Sequence, residues 1–182
     1  MINISHIAIP YSKALFDLSI ENDVLEDTYH DIELIDSVCK SSRDFRMMLK
    51  SPIIYTSKKI RILHLIFEPT VSKLTLTFLS IITRKKRESF IPDISLAFIE
   101  LYKDYKGILP TYVKTASPLS DQIRNEVIDV MRKFTGKEIE LMGEIREELI
   151  GGFILQWNDK QYDASILKQI KEMKKGVTEL EL

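Results

Sequence analysis

Few side chains in this 182-residue chain could do chemistry, and those few do not converge. His6, His30 and His64 lie on three different segments, and none sits in a motif whose spacing would bring two ligands to one metal. They are expected as surface histidines or hydrogen-bonded core histidines. Cys39, the single cysteine, falls at an apolar position of a helical stretch with no neighbouring feature that would depress its pKa. It is expected to pack as a small hydrophobe. Gly151-Gly152 invites comparison with a phosphate cradle, but no Lys-Ser or Lys-Thr follows, and the next residues are strand-like. A glycine pair there marks instead a bend or a close backbone approach. Glu138, Glu140, Glu144, Glu147 and Glu148 have no acid–base spacing and are expected to face solvent. The basic run Arg84 to Arg87 lacks an aromatic platform and further cations in sequence, so it is expected as a solvated corner, open to an acidic partner. No catalytic residue, metal or cofactor is expected.

Bulk properties narrow the classes further. Lys and Arg total 26 against 27 Asp and Glu, a net charge of -1, so no general field gathers nucleic acid or anionic lipid, and recognition must be local. One cysteine excludes an internal disulfide and a zinc site of several thiolates, which fits a reducing, cytoplasmic compartment. No apolar run approaches the roughly 18 residues that span a bilayer, and the opening lacks the features of a signal peptide. Membrane association is expected to be indirect.

The elements that must position these residues fall into two halves with different patterning. All six glycines lie at or beyond Gly107, and the stretch before them reads as helix after helix. Ile7, Tyr11, Ala14, Leu15 and Leu18 mark a first helix with Pro10 in its first turn. Leu25, Thr28, Ile32, Ile35 and Cys39 mark a second, with Asp23 as its expected cap. Ser42 caps a short third that stops at Ser51-Pro52, and Thr56 or Ser57 begins a fourth through Ile60, Leu63 and Phe67. Ser72 caps a fifth through Leu74, Phe78, Leu79 and Ile82. Phe90, Ile94, Phe98, Leu101 and Tyr105 give a sixth, with Pro92 placed early. Beyond Gly107, Tyr112 to Thr115 reads as a strand. Ser120 then caps a helix whose apolar face is Ile123, Val127, Val130, Met131 and Phe134, and Gly136 ends it. Lys137 to Met142 alternates like a strand, Asn158-Asp159 turns a hairpin between Gly152–Trp157 and Lys160–Asp163, and a final helix runs through Ile166, Ile170 and Met173. The fold class expected is a six-helix bundle over residues 1–106 followed by a small α/β domain over 107–182, of order βαβββα or similar.

Several segments, in order, resemble one family. Pro10-Tyr11-Ser12-Lys13-Ala14-Leu15-Phe16 is similar to the opening motif of the delta subunit of F-type ATP synthases, the oligomycin-sensitivity-conferral protein family. Leu49-Lys50-Ser51-Pro52 followed by Lys59 resembles its third and fourth helices, and Phe78-Leu79 with Arg84 or Arg87 its fifth-helix region. Thr115-Ala116-Ser117-Pro118-Leu119-Ser120, Leu149-Ile150-Gly151-Gly152-Phe153 and Asp163-Ala164-Ser165-Ile166 resemble three further motifs. Three positions depart from the family pattern: Arg146 stands where an aspartate is usual, Ala164 replaces a glycine, and Thr77 precedes Phe78 where asparagine is common.

The resemblance implies a non-catalytic stator connector on the cytoplasmic face of the bacterial inner membrane, one copy per complex, that joins the catalytic head to the peripheral stalk. It implies that the N-terminal bundle takes an amphipathic helix, the N-terminus of an alpha subunit, in a groove between the first and fifth helices. Tyr11, Ala14, Leu18, Phe78 and Ile82 would line that groove, while Leu15 and Leu79 are assigned to the bundle's own core. It implies that the C-terminal domain meets the C-terminus of the b subunit, with Gly151, Gly152, Phe153, Asp163 and Ser165 as the motif residues of that half. Two rival classes remain: a nucleic-acid-binding helical module using Arg84 to Arg87, which would show steep salt dependence, and a small transferase with Gly151-Gly152 near its substrate, which lacks an acid–base constellation.

Overall fold

The computed structural model describes residues 5–168 and 170. The chain divides into two compact units between Tyr105 and Lys106.

The first unit is helical: α1 Ala8–Glu21, α2 Leu25–Ser41, α3 Arg43–Lys50, α4 Thr56–Phe67, α5 Lys73–Arg84 and α6 Ile91–Lys106, with a 3-10 turn Glu88–Phe90 before α6. Local chemistry sets several of these boundaries. Ser42 Oγ accepts from the Phe45 amide at 3.1 Å and Ser72 Oγ from the Thr75 amide at 3.3 Å, each satisfying an amide that has no intrahelical partner. Asp23 does not cap α2: Val24 holds that position without a side-chain cap. Asp23 instead takes φ 59°, and the Asp23 and Val24 amides bond back to Ile20 and Ser19, closing the end of α1 in a left-handed turn. Without glycine in this unit, the short polar side chain that best tolerates such a φ takes the position.

Leu15, Ile32, Ile35, Leu63, Phe67, Leu79, Ile94 and Phe98 form the centre of one apolar cluster. Each fully buried side chain of this kind contributes about 1.5–3 kcal/mol relative to exposure. Polar joints then fix the helices against each other. Asp31 Oδ2 accepts from the Ser72 amide at 2.9 Å and from Thr75 Oγ1 at 2.7 Å, which pins the start of α5 to the middle of α2. Lys59 of α4, buried, donates to the Leu49 carbonyl at 2.9 Å and pairs with Glu88 Oε1 at 2.5 Å, so one ammonium joins the end of α3, the body of α4 and the turn before α6.

The second unit is a four-stranded sheet of order β2-β1-β3-β4: β1 Ile108–Thr115, β2 Glu138–Ile145, β3 Phe153–Trp157 and β4 Lys160–Asp163. Helix α7, Asp121–Thr135, crosses between the parallel strands β1 and β2, the connection a parallel pair requires. Ser120 caps it and Gly136, at φ 67°, ends it. β3 returns antiparallel to β1, with Val113 opposite Leu155, and the β3–β4 hairpin turns at Asn158. Val113, Met131, Leu141 and Leu155 form the core, with Val127, Phe153 and Trp157 packed against it. Residues 166–168 and 170 are helical; Met173, expected on the same helix, lies outside the described residues.

Candidate functional site

Helix α1 buries Ala8, Ser12, Leu15, Phe16 and Ser19. Its other side leaves Ile7 and Leu18 exposed, Ala14 exposed between them, and Tyr11 half-buried. Ile7, Tyr11, Ala14 and Leu18 are spaced four, three and four residues apart, so they form one stripe along the helix. The guanidinium of Arg87 lies over the Tyr11 ring at 5.3 Å, tying α1 to the turn after α5. On α5, Phe78 is half-buried against the core and Ile81 is 43% exposed. Ile82 was expected on a groove wall but is 0% exposed. It turns inward with Leu79 and Thr83, because one residue along a helix rotates a side chain by about 100° and the surface falls to Ile81.

The C-terminal motif residues serve the unit's own architecture. A Cβ on Gly152, which sits at φ 76°, would lie 2.3 Å from the Ala164 carbonyl oxygen, and one on Gly151 would lie 2.6 Å from Ile166 Cδ1. The loop therefore presses backbone to backbone against the exit of β4, and the Ile166 amide donates to the Gly151 carbonyl at 3.0 Å. Asp163 Oδ1 accepts from the Ser165 amide at 2.9 Å, and buried Ser165 accepts through Oγ from the Lys168 amide at 3.2 Å, so both open the last helix. Phe153 packs beside Tyr162, ring centroids 6.2 Å apart.

Helix α7 differs from its expected packing. Of its apolar stripe only Met131 is buried and Val127 is half-buried; Ile123, Val130 and Phe134 are exposed, Phe134 at 71%. Periodicity finds such a stripe but does not say whether the chain itself covers it. Trp157 meets the edge of Phe134 at 6.3 Å, so the aromatic end of the stripe joins the sheet.

None of this is a catalytic centre. Burial pushes the Cys39 thiol up to about 12, with the Asp36 carboxylate adding to the effect, so it stays protonated and inert. No group of three His, Cys, Asp or Glu among the described residues could hold a metal ion. His64 Nε2 meets Ser80 Oγ at 3.0 Å and His64 Nδ1 lies 3.8 Å from Glu68, the order of a hydrolytic triad. Ser80, however, is in mid-helix, where backbone amides are committed to carbonyls one turn back and cannot form an oxyanion hole. The pair joins α4 to α5. The basic run is dispersed by the turn after α5: Arg84 faces α4, Lys86 lines a hollow with Lys59 and Glu88, and Arg87 covers Tyr11. That dispersal removes the single patch a nucleic-acid module would need. No helix among the described residues is long and apolar enough to cross a membrane.

Residues 7–177 match the model of the family described as ATP synthase delta (OSCP) subunit. The chain is 33% identical to the ATP synthase subunit delta of Cytophaga hutchinsonii over 96% of both chains. It is 32% identical to that of Pelodictyon phaeoclathratiforme over 92% of this chain and 94% of the other. Its fold is similar to a chain in the cryo-EM structure of the Toxoplasma gondii mitochondrial ATP synthase hexamer, with a TM-score of 0.74, 21% identity, and coverage of 96% and 98%. Motif order, a helical unit followed by a mixed sheet, and similarity along nearly the whole length agree: the chain belongs to the ATP synthase delta (OSCP) subunit family and is a non-catalytic stator component of F-type ATP synthase.

Proposed function

We propose that this subunit joins the catalytic head to the peripheral stalk by holding two proteins at once, and so resists the torque of the rotor. The helical unit takes the N-terminal helix of an alpha subunit, and the sheet unit takes the C-terminus of the b subunit. The complex holds it at the cytoplasmic face of the bacterial inner membrane, one copy in each.

The observation that carries the first half is the stripe Ile7, Tyr11, Ala14 and Leu18, apolar and largely open to solvent on α1, beside a half-buried Phe78 on α5. Helix-in-groove docking uses anchors at this spacing. Ala14 acts by being small, since a helix backbone approaches closely only where the facing side chain is short. For the second half, support comes from α7, whose exposed Ile123, Val130 and Phe134 give the sheet unit an apolar surface of its own. A stable joint at nanomolar affinity needs about 12 kcal/mol, which two such surfaces supply only if their central side chains are well enclosed.

Ala14→Asp tests the head-binding half. Titration calorimetry with a peptide of the alpha-subunit N-terminus should lose its signal, because an unpaired carboxylate in an apolar contact costs several kcal/mol, while the circular dichroism spectrum stays unchanged. Unaltered binding would remove α1 from the contact.

A further inference from the structure

Helix α5 carries a second face that the alpha-subunit contact does not use. Lys73, Thr77, Ser80 and Arg84 recur at steps of four, three and four, while Leu74 and Phe78 lie about 100° round the same helix. With His64 of α4 and Glu68 just beyond its end, that second face lines a groove of about 400 Å³. The outward side of α4 extends the surface through a hollow of about 530 Å³ around Lys58, Arg61, Ile62 and Leu65.

Two features of this surface need explaining together. Lys58, Arg61, Lys73 and Arg84 make no ion pair among the described residues, and the lone carboxylate lining either hollow, Glu68, is turned toward His64 at 3.8 Å. Four unpaired cations against one carboxylate is a local excess, since the whole chain carries a net charge of -1. Apolar side chains lining these hollows are left to solvent: Leu65 is 71% exposed and Ile81 43%. The bond between His64 and Ser80 holds α4 against α5, so the groove is formed before any ligand arrives.

We infer that the α4–α5 groove docks an acidic amphipathic helix of a partner protein. Lys73 and Arg84, about three turns apart or roughly 16 Å along the axis, take carboxylates at the two ends, and Ile81 and Leu65 take the apolar stripe. Opposite charge at the rim sets on-rate and register, and the apolar centre sets residence. Nucleic acid fits less well, because no Phe, Tyr or Trp lines either hollow to offer a broad stacking platform, and the ring of His64 is held by Ser80.

The test uses the full-length chain labelled with nitrogen-15 and a synthetic amphipathic helix of roughly 18 residues, about five turns, with leucine on one face and glutamate on the other. A lysine-for-glutamate analogue and a single-stranded oligonucleotide serve as comparisons. The acidic peptide is expected to shift the amides of His64, Thr77 and Arg84, and to bind at least about tenfold more weakly to the Lys73→Glu/Arg84→Glu variant. Lys73→Gln/Arg84→Gln should lose less, rising salt should weaken binding, and Ala14→Asp should leave it unchanged. The inference is overturned if the acidic peptide does not bind, if charge reversal leaves its affinity intact, or if the shifts map to α1. Tighter binding of the lysine analogue or of the oligonucleotide overturns it as well.

Discussion

The guanidinium of Arg87 stands 5.3 Å from the centre of the Tyr11 ring and fastens the first helix to the turn that follows the fifth. Cation–π contacts at exposed positions contribute about 0.5–1 kcal/mol. Arg87→Ala should lower the stability of the helical unit by that amount in urea denaturation and weaken alpha-peptide binding several-fold, because Tyr11 loses the group that orients it. Arg87→Lys should retain part of both effects. A binding constant unchanged by Arg87→Ala would separate Tyr11's orientation from recognition.

Lys59 and Glu88 form the other charged joint, and here burial raises the stakes. Both side chains are enclosed, Oε1 meets the ammonium at 2.5 Å, and Glu88 Oε2 has no hydrogen-bond partner among the described residues. Removing one member of such a pair strands the other charge, which costs about 3–5 kcal/mol. Glu88→Ala should therefore destabilise the unit strongly. Lys59→Met/Glu88→Leu should recover most of that loss, since apolar groups of similar volume avoid both desolvation penalties. Denaturation midpoints of the single and double variants decide between these outcomes.

Two glycines in the sheet unit make a matched comparison. Gly152→Ala forces a Cβ toward the Ala164 carbonyl oxygen, 2.3 Å away, at a φ that side chains rarely adopt. A loss of about 2–3 kcal/mol is expected from strain and displacement together. Gly143→Ala in β2 meets nothing within 4 Å and should be neutral or stabilise by up to about 0.5–1 kcal/mol. Thermal melts of the two proteins measure the difference.

For Cys39 the prediction concerns pH. Its thiol is raised to about 12 by burial, with Asp36 adding to the rise, so the folded chain keeps the proton where an unfolded chain begins to lose it near pH 9. Holding the neutral form favours the folded state below the unfolded value, and that advantage is lost as pH rises through 9 toward about 12. Alkylation by a thiol reagent at pH 8 should be slow in the native protein and fast in denaturant. Rapid native alkylation would mean that Cys39 is accessible.

What local chemistry controls was legible in the chain itself. Ser42, Ser72 and Ser120 cap helices because a hydroxyl reaches an amide three residues on, and Gly136 ends one because it alone tolerates φ 67° without strain. These depend on neighbours in sequence, as does the hairpin at Asn158. The motif resemblance likewise stated the family from ordered short segments. What tertiary structure decided was which apolar residues stay outside. Ile81 and Ile82 have the same side chain one position apart, and only the packing of α5 makes one surface and the other core. The α7 stripe is open although its periodicity matches that of a buried face, because burial depends on what lies opposite, which no local pattern encodes. Arg84, Lys86 and Arg87, one run in sequence, point to three places, since a helix end turns each residue's direction sharply. The bonds joining Asp31 to Thr75 and Lys59 to Glu88 span 44 and 29 residues. Partners that far apart meet only after the helices have packed.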